Sequence, residues 1–461
     1  MDEKGLADVG ANPRVCLDFG TSFSKAGVFL GAHAGGEACL APLRLGAVSG
    51  ADHAYLTPTA LFLEHGRVHC GPKALMRARA SVRAKRDPMM SFKMVLSARD
   101  VEGTLALKLS PTVDPTRTLT YRDALVLYFA YLDQLLRAAI RIDEHLPSGL
   151  TEAPLRVTSP LWRREHEAEQ TLSRLFHDAE VVSAALGSQL IMPEGASVDD
   201  AMAAVKAGEG APRRGRFAGL VSEVQSVAAA YAKFARPKSD YLLVLDIGAG
   251  MTDISAFRVR AFNSGPVLEE IRAARRCCAI AGDEIDDAVI HQMLRRSRAS
   301  SPEAKARVWR ALRLSARELK HDLIERGKCT LADDGQKIGM SQDALLKDPS
   351  FKDFCRALVP VLTQSMNAVA DEVGDRGGTI LVCIAGGGAH LPIVDGIIAE
   401  ATKKWRGKAK VITERFSIGL ARNSIARGHD QFDKSFSQIV IALGGAIADL
   451  SEQAASAGRA A

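Results

Sequence analysis

Asp18-Phe19-Gly20-Thr21-Ser22-Phe23-Ser24-Lys25 returns in altered form as Asp246-Ile247-Gly248-Ala249-Gly250-Met251-Thr252-Asp253, one copy in each half of a 461-residue chain. Short apolar runs of strand length lead into the copies, Val15-Cys16-Leu17 and Leu242-Leu243-Val244-Leu245. Ala26-Gly27-Val28-Phe29 and Ile254-Ser255-Ala256-Phe257 resume the strand afterwards. Each aspartate is therefore expected at the end of a strand, at a hairpin tip. Without a Cβ, Gly20, Gly248 and Gly250 allow a tight turn and let backbone N–H groups approach phosphate oxygens. Thr21, Ser22 and Thr252 add hydroxyl donors. Two carboxylates cannot meet phosphate directly without repulsion, so Asp18 and Asp246 are expected to hold a hydrated magnesium ion through its waters. One Asp-x-Gly turn between strands is an ordinary hairpin. Its repetition at domain scale points to duplicated halves.

A third element joins these hairpins. Leu381-Val382-Cys383-Ile384-Ala385 reads as a buried strand that runs into Gly386-Gly387-Gly388-Ala389-His390-Leu391-Pro392, with an amphipathic helix expected from Ile393 to Ala401. A strand, a glycine turn and a helix start give a flat or anionic ligand access to backbone.

From roughly Arg14 to Gly428, the order of these motifs resembles the actin, sugar-kinase and heat-shock ATPase superfamily. Within it, the closest likeness is to the nucleotide-binding domain of DnaK-type heat-shock chaperones. Secondary motifs carry that likeness: Thr57-Pro58-Thr59 with Cys70-Gly71-Pro72-Lys73-Ala74, Ser91-Phe92-Lys93-Met94-Val95-Leu96, Val157-Thr158-Ser159-Pro160 with a charged helix from Arg163 to Phe176, Glu223 with Ala228-Ala229-Ala230-Tyr231, and Ala281-Gly282-Asp283-Glu284-Ile285-Asp286. The resemblance implies an α/β, actin-like ATPase fold. Its two lobes would each hold a duplicated ribonuclease-H-like mixed sheet flanked by helices, with two smaller subdomains added. It implies ATP or ADP with Mg2+ as ligands, clasped by closure of the lobes.

The same resemblance assigns roles. Asp18 and Asp246 orient the hydrated metal, Lys93 stabilises charge on the transferred phosphoryl group, and Glu223 and Asp253 position the attacking water. Nucleotide contacts fall to Gly20, Thr21, Ser22 and Phe23, to Gly248, Ala249, Gly250 and Met251, and to Gly282, Lys320, Gly386, Gly387 and Gly388. The chain departs from the family pattern at several of these places. Phe23 stands for a tyrosine, Met251 for a threonine and Ala249 for a glycine. Arg317 and His321 stand where a glutamate and an arginine are typical, and His390 replaces an arginine. Nucleotide binding survives such changes more easily than the rate of hydrolysis, so a weak or silent ATPase stays an open reading.

Composition agrees with a globular protein of several units: 47% of residues are hydrophobic and 25% charged. Basic clusters at Arg77 to Arg86, Arg213 to Arg216, Arg295 to Arg298 and Lys403 to Lys408 are scattered and carry almost no interleaved aromatics, and the net charge is only +6, so nucleic acid is not indicated as a partner. The eight cysteines show no metal-ligand spacing and are expected to be free thiols. No run reaches the roughly 18 apolar residues that span a bilayer, and the amino terminus has no apolar leader. A cytoplasmic protein without a membrane partner is expected.

The expected organisation is lobe I over 13–235, with a small subdomain at about 45–120 and an insertion at about 187–218 read as loops or partner contacts. Lobe II follows over 236–428 with a small helical subdomain at about 283–373, and 429–461 forms a C-terminal helical tail. The stretch after Gly428 is too short for a β-rich peptide clamp. The expected function is therefore a chaperone-type ATPase that lacks its own peptide-binding domain and signals to a protein partner as a nucleotide-driven switch. A small-molecule kinase, and an actin-like filament or nucleotide-locked scaffold, are the alternatives.

Overall fold

The computed structural model describes residues 13–32, 38–161, 165–211, 215–235, 239–262, 265–374, 377–415 and 430–448. Both glycine-bearing stretches are hairpin tips. β1 (Arg14–Phe19) turns into β2 (Phe23–Ala32), and β3 (Ala38–Leu43) continues the antiparallel run. The helix α1 (Leu45–Ser49) leads to β4 (Thr57–Pro58), which pairs with β2. A small four-stranded sheet follows, containing β5 (Ala60–Glu64), β6 (Arg67–Cys70) and β7 (Met89–Met90), with helices α2 (Gly71–Ala80) and α3 (Val101–Ala106). The chain then returns through α4 (Tyr121–Ile142), β8 (Leu155–Ser159), α5 (Glu165–Leu186), β9 (Ala196–Ser197), α6 (Val198–Gly208), β10 (Phe217–Ser222) and α7 (Glu223–Ala235).

The second half repeats the plan. β11 (Tyr241–Ile247), β12 (Thr252–Phe262) and β13 (Gly265–Cys278) form an antiparallel run. After them come α8 (Gly282–Arg296), α9 (Pro302–Arg326), the hairpin β14 (Lys328–Asp333) and β15 (Gln336–Ser341), α10 (Gln342–Leu346) and α11 (Pro349–Val373). β16 (Thr379–Ala385), α12 (Val394–Lys404), β17 (Lys410–Arg415) and α13 (Asp430–Ile447) complete it.

The sheet orders are β10-β8-β1-β2-β3 and β13-β12-β11-β16-β17. In both, a central strand pairs antiparallel with its hairpin partner on one side and parallel with a later strand on the other, to which a second later strand adds in parallel. β11 and β16 are almost wholly buried, as parallel strands covered on both faces must be, which explains their unbroken Leu, Val and Ile runs. The expected actin-like α/β fold, two mixed sheets with flanking helices, is what the chain adopts. Among the described residues no helix is long and apolar enough to cross a membrane, and the described cysteines are free.

One expectation needs correction. The insertion at 187–218 is not an open loop. β9 adds to β6, with Val68 opposite Ala196, and α6 buries Ala201, Ala204 and Val205 after a cap in which the Asp200 N–H donates to Ser197 Oγ at 3.0 Å. The glycine and proline punctuation around it masked a capped, alanine-rich helical period; residues 212–214 lie outside the described set. The C-terminal helix α13 starts at Asp430, is described as far as Ile447, and lies with α7 between the two sheets. Phe432, Phe436, Ile439, Val440 and Leu443 there share one buried cluster with Cys16 of β1, Val244 of β11 and Cys383 of β16. Close approach explains its glycines: a Cβ at Gly445 would fall 2.5 Å from Cys16 Sγ, and one at Gly27 would fall 2.8 Å from Leu443 Cδ2.

Candidate nucleotide site

Both hairpin tips open onto one cavity between the halves. It measures about 150 Å³, room for many times the roughly 10–15 Å³ that one water needs. Asp18, Gly20, Thr21, Ser22, Phe23, Lys93 and Glu223 line it from the first half. Asp246, Gly248, Ala249, Met251, Gly282, Lys320 and Gly386 to Gly388 line it from the second. Gly250 and Asp253 are not on the wall. Gly250 sits where the tips meet, since a Cβ there would come within 3.0 Å of Thr21 and 2.7 Å of Met94 Sδ. Asp253 is buried behind the wall and accepts from the Leu161 N–H at 3.2 Å.

The hairpins have equal length but opposite charge at one facing position. Asp18 pairs in register with Lys25, and Asp246 pairs in register with Asp253. In the first hairpin the charges cancel: Lys25 Nζ is 2.6 Å from Asp18 Oδ2, and Thr158 donates to Asp18 Oδ1 at 2.8 Å. In the second, two carboxyls stand side by side, both buried, with Glu223 nearby. Burial, then the Glu223 and Asp253 charges, push Asp246 well above the ordinary carboxylate range. Burial and Glu223 push Asp253 up to about 7. Asp246 Oδ1 is buried and accepts no hydrogen bond.

Lys93 lies on a 3-10 turn (Phe92–Ser97) that follows Ser91 in the left-handed region at φ 57°. Its Nζ is bonded to Glu223 Oε1, both groups being buried. Burial works against the ammonium, but Glu223, Asp18 and Asp253 outweigh it and hold the lysine pKa above its usual value. The expected catalytic lysine thus already rests on an expected water-positioning glutamate.

The third glycine turn is held by α13. Gly386 N–H donates to the Ser437 carbonyl at 2.9 Å, and Ser437 Oγ returns a bond to the Gly386 carbonyl at 3.2 Å. Gly386 has φ +80°, and a Cβ there would lie 2.3 Å from Asp246 Oδ1 and 2.5 Å from the Ile247 carbonyl. Gly386→Ala is therefore expected to destabilise the protein by about 3 kcal/mol, seen as a lower urea midpoint with unchanged slope. The second turn is tied to α8, with Gly282 N–H on the Gly248 carbonyl at 3.0 Å and Asp283 N–H on the Ala249 carbonyl at 2.6 Å. Lys320 Nζ is engaged on its own side, 3.0 Å from the Gly282 carbonyl and 2.8 Å from Asp286.

Sequence reasoning missed several wall residues: Lys25, the apolar trio Ile285, Ile324 and Leu391, and Gln438 and Ile441 from α13. Lys25 was findable, because counting the hairpin outward from its tip puts it opposite Asp18. The α13 residues were not, since no local pattern says that a distant helix will floor the cleft. Arg317, noted only as a departure, proves to donate to the carbonyls of Ser22 and Thr21. Residues 215–421 match the family model described as Hsp70 protein, a stretch that runs from β10 and α7 through the second sheet to beyond β17. That stretch is similar to a nucleotide-binding ATPase domain of the chaperone type.

Proposed function

We propose that this chain is an ATP-binding, magnesium-dependent ATPase of chaperone type that works as a nucleotide-driven conformational switch, with residues 13–235 and 236–428 as its moving lobes. One observation carries the reading: two hairpins of equal length bring Asp18 and Asp246 to a single cavity ringed by glycine turns. The apolar wall of Ile285, Ile324 and Leu391 suits the flat face of a base. Gly20 to Ser22 and Gly248 to Gly250 would bind the β- and γ-phosphates, and Gly386 to Gly388 the adenosine.

The residues present fit a hydrated metal. Asp246 offers a buried carboxylate oxygen with no hydrogen-bond partner, and no group of three protein ligands is gathered among the described residues. That donor set suits an ion that keeps most of its waters and takes few carboxylates. When bound, magnesium would neutralise charge on the phosphates. Asp246 and Asp18 would hold it through water, and Lys25, released from Asp18, would reach a phosphate as a point charge. Lys93 would stabilise the transferred group. Glu223, on the wall, is placed to orient water directly, while Asp253 acts from behind it by setting the local charge.

The decisive experiment is titration of ATP with and without magnesium into the wild type and Asp246→Ala. Loss of the magnesium dependence in the variant is expected, and an unchanged dependence overturns the role. The raised carboxyls also set a pH dependence. The folded protein holds a proton on Asp253 up to about pH 7, and burial with the neighbouring Glu223 and Asp253 charges favours the protonated form of Asp246 as well. A cation favours the ionised forms, so binding releases protons and magnesium-nucleotide affinity should rise between roughly pH 6 and 8. Calorimetry in buffers of differing ionisation enthalpy would show the release. Without ligand the sign reverses: the unfolded chain gives up those protons near the ordinary aspartate value of 3.8, so stability falls as pH climbs towards 7.

A further inference from the structure

Arg317 reaches across the cleft from α9 to the first glycine turn. Its Nη1 donates to the Ser22 carbonyl at 3.1 Å and its Nη2 to the Thr21 carbonyl at 3.3 Å. The guanidinium carbon lies 6.0 Å from the Phe23 ring centroid. The departures at positions 23 and 317 thus meet one another, as cation on ring. On its own side of the cleft burial raises the pKa of Asp283, and the Arg317 charge opposes that rise.

Three residues further along α9, Lys320 holds the Gly282 carbonyl, and Gly282 and Asp283 in turn donate to Gly248 and Ala249 of the second glycine turn. An unbroken path of hydrogen bonds and one helix therefore joins the two turns. In a trans peptide the C=O and the following N–H point opposite ways. Fixing the carbonyls of Thr21 and Ser22 therefore fixes the direction of the Ser22 and Phe23 amides, the donors that a phosphate would use.

We propose that Arg317 is a positioning residue that couples the two phosphate-binding turns through α9, so that they close on a nucleotide as a unit and release it together. The proposal rests on the nucleotide reading above. Both Nη groups are engaged on backbone carbonyls, so the arginine orders the turn. It does not hold the halves together alone: Arg79 pairs with Glu318 and donates to the Leu314 carbonyl, Arg310 lies 3.4 Å from Asp87, and Leu314 packs with Phe62 and Ala78. Removing Arg317 therefore leaves the fold intact while freeing the turn.

Stopped-flow release of a fluorescent ADP analogue tests this in the wild type, R317A, R317K, F23L and the surface control R356A, whose ion pair with Asp353 stays within α11. R317A should release about tenfold faster, the loss of one net charged hydrogen bond. R317K should fall between, because an ammonium keeps the charge over the ring but not the two-pronged geometry. F23L should show a smaller rise and R356A none. Hydrogen exchange at the Ser22 and Phe23 amides, measured without nucleotide, should quicken in R317A. Release and exchange both at wild-type values in R317A and R317K overturn the coupling. Failure of the wild type to bind the analogue counts against the nucleotide reading instead, and the exchange measurement still decides whether Arg317 orders the turn.

Discussion

Gly444→Ala should lower the stability of the folded protein by about 3 kcal/mol although it adds one methyl group to a helix, where alanine is intrinsically the better residue. A Cβ at Gly444 would lie 1.8 Å from the Ser226 carbonyl oxygen and 3.1 Å from Ala230 Cβ, both on α7. α7 and α13 are the layer between the sheets, so the added atom must push apart a pair of helices that holds both halves. No flexible side chain stands in its way to give ground; the obstacle is backbone. Overpacking of a well-packed core costs roughly 1–3 kcal/mol, and the helix-propensity gain of up to about 1 kcal/mol offsets only a fraction of a clash this close. Urea denaturation measures it. Gly396→Ala, at an exposed position of α12 with nothing within 4 Å of the new Cβ, should shift the midpoint the other way. A Gly444→Ala protein as stable as the wild type would mean that α13 does not pack against α7 in solution.

Lys93→Ala should reduce the rate of ATP hydrolysis by roughly 10²–10³ while nucleotide still binds, the magnitude seen when one charge-stabilising donor is removed from a transition state. It should also destabilise the protein, because Glu223 is left buried beside Asp246 and Asp253 without its ammonium partner; breaking a buried pair costs roughly 3–5 kcal/mol. The two effects separate in the double variant. Glu223→Gln in the Lys93→Ala background removes the unpaired charge and should recover much of the stability but none of the rate. Recovery of both, by single-turnover kinetics alongside denaturation, would assign the pair to folding alone.

The repeated Asp-x-Gly stretches made the fold legible, since a strand, a short glycine-bearing tip and a returning strand are local events written in consecutive residues. α4 carries Leu125, Phe129, Leu132 and Leu136 at the helical spacing that a sequence shows directly, and the structure adds a Thr120–Asp123 capping box at its start. What the sequence hid was set by distant contacts. Nothing near Gly444 announces the Ser226 backbone, and nothing near Arg317 announces the carbonyls of Thr21 and Ser22. The position of Asp253 behind the cavity wall was hidden for a related reason: strand alternation fixes which face a side chain takes, but not how much of that face a neighbouring helix covers.

The burial of Cys16 against Gly445 has a temporal consequence. A ribosome delivers the first of these residues roughly 400 positions before the second, which at about 5–20 residues per second leaves β1 and β2 on the order of 20–80 s without the helix that seals them. Through that interval the growing polypeptide carries an incomplete apolar surface. Truncation before residue 430 should therefore yield insoluble material, and synthesis in step with a holding factor should rescue the full chain but not the shortened one.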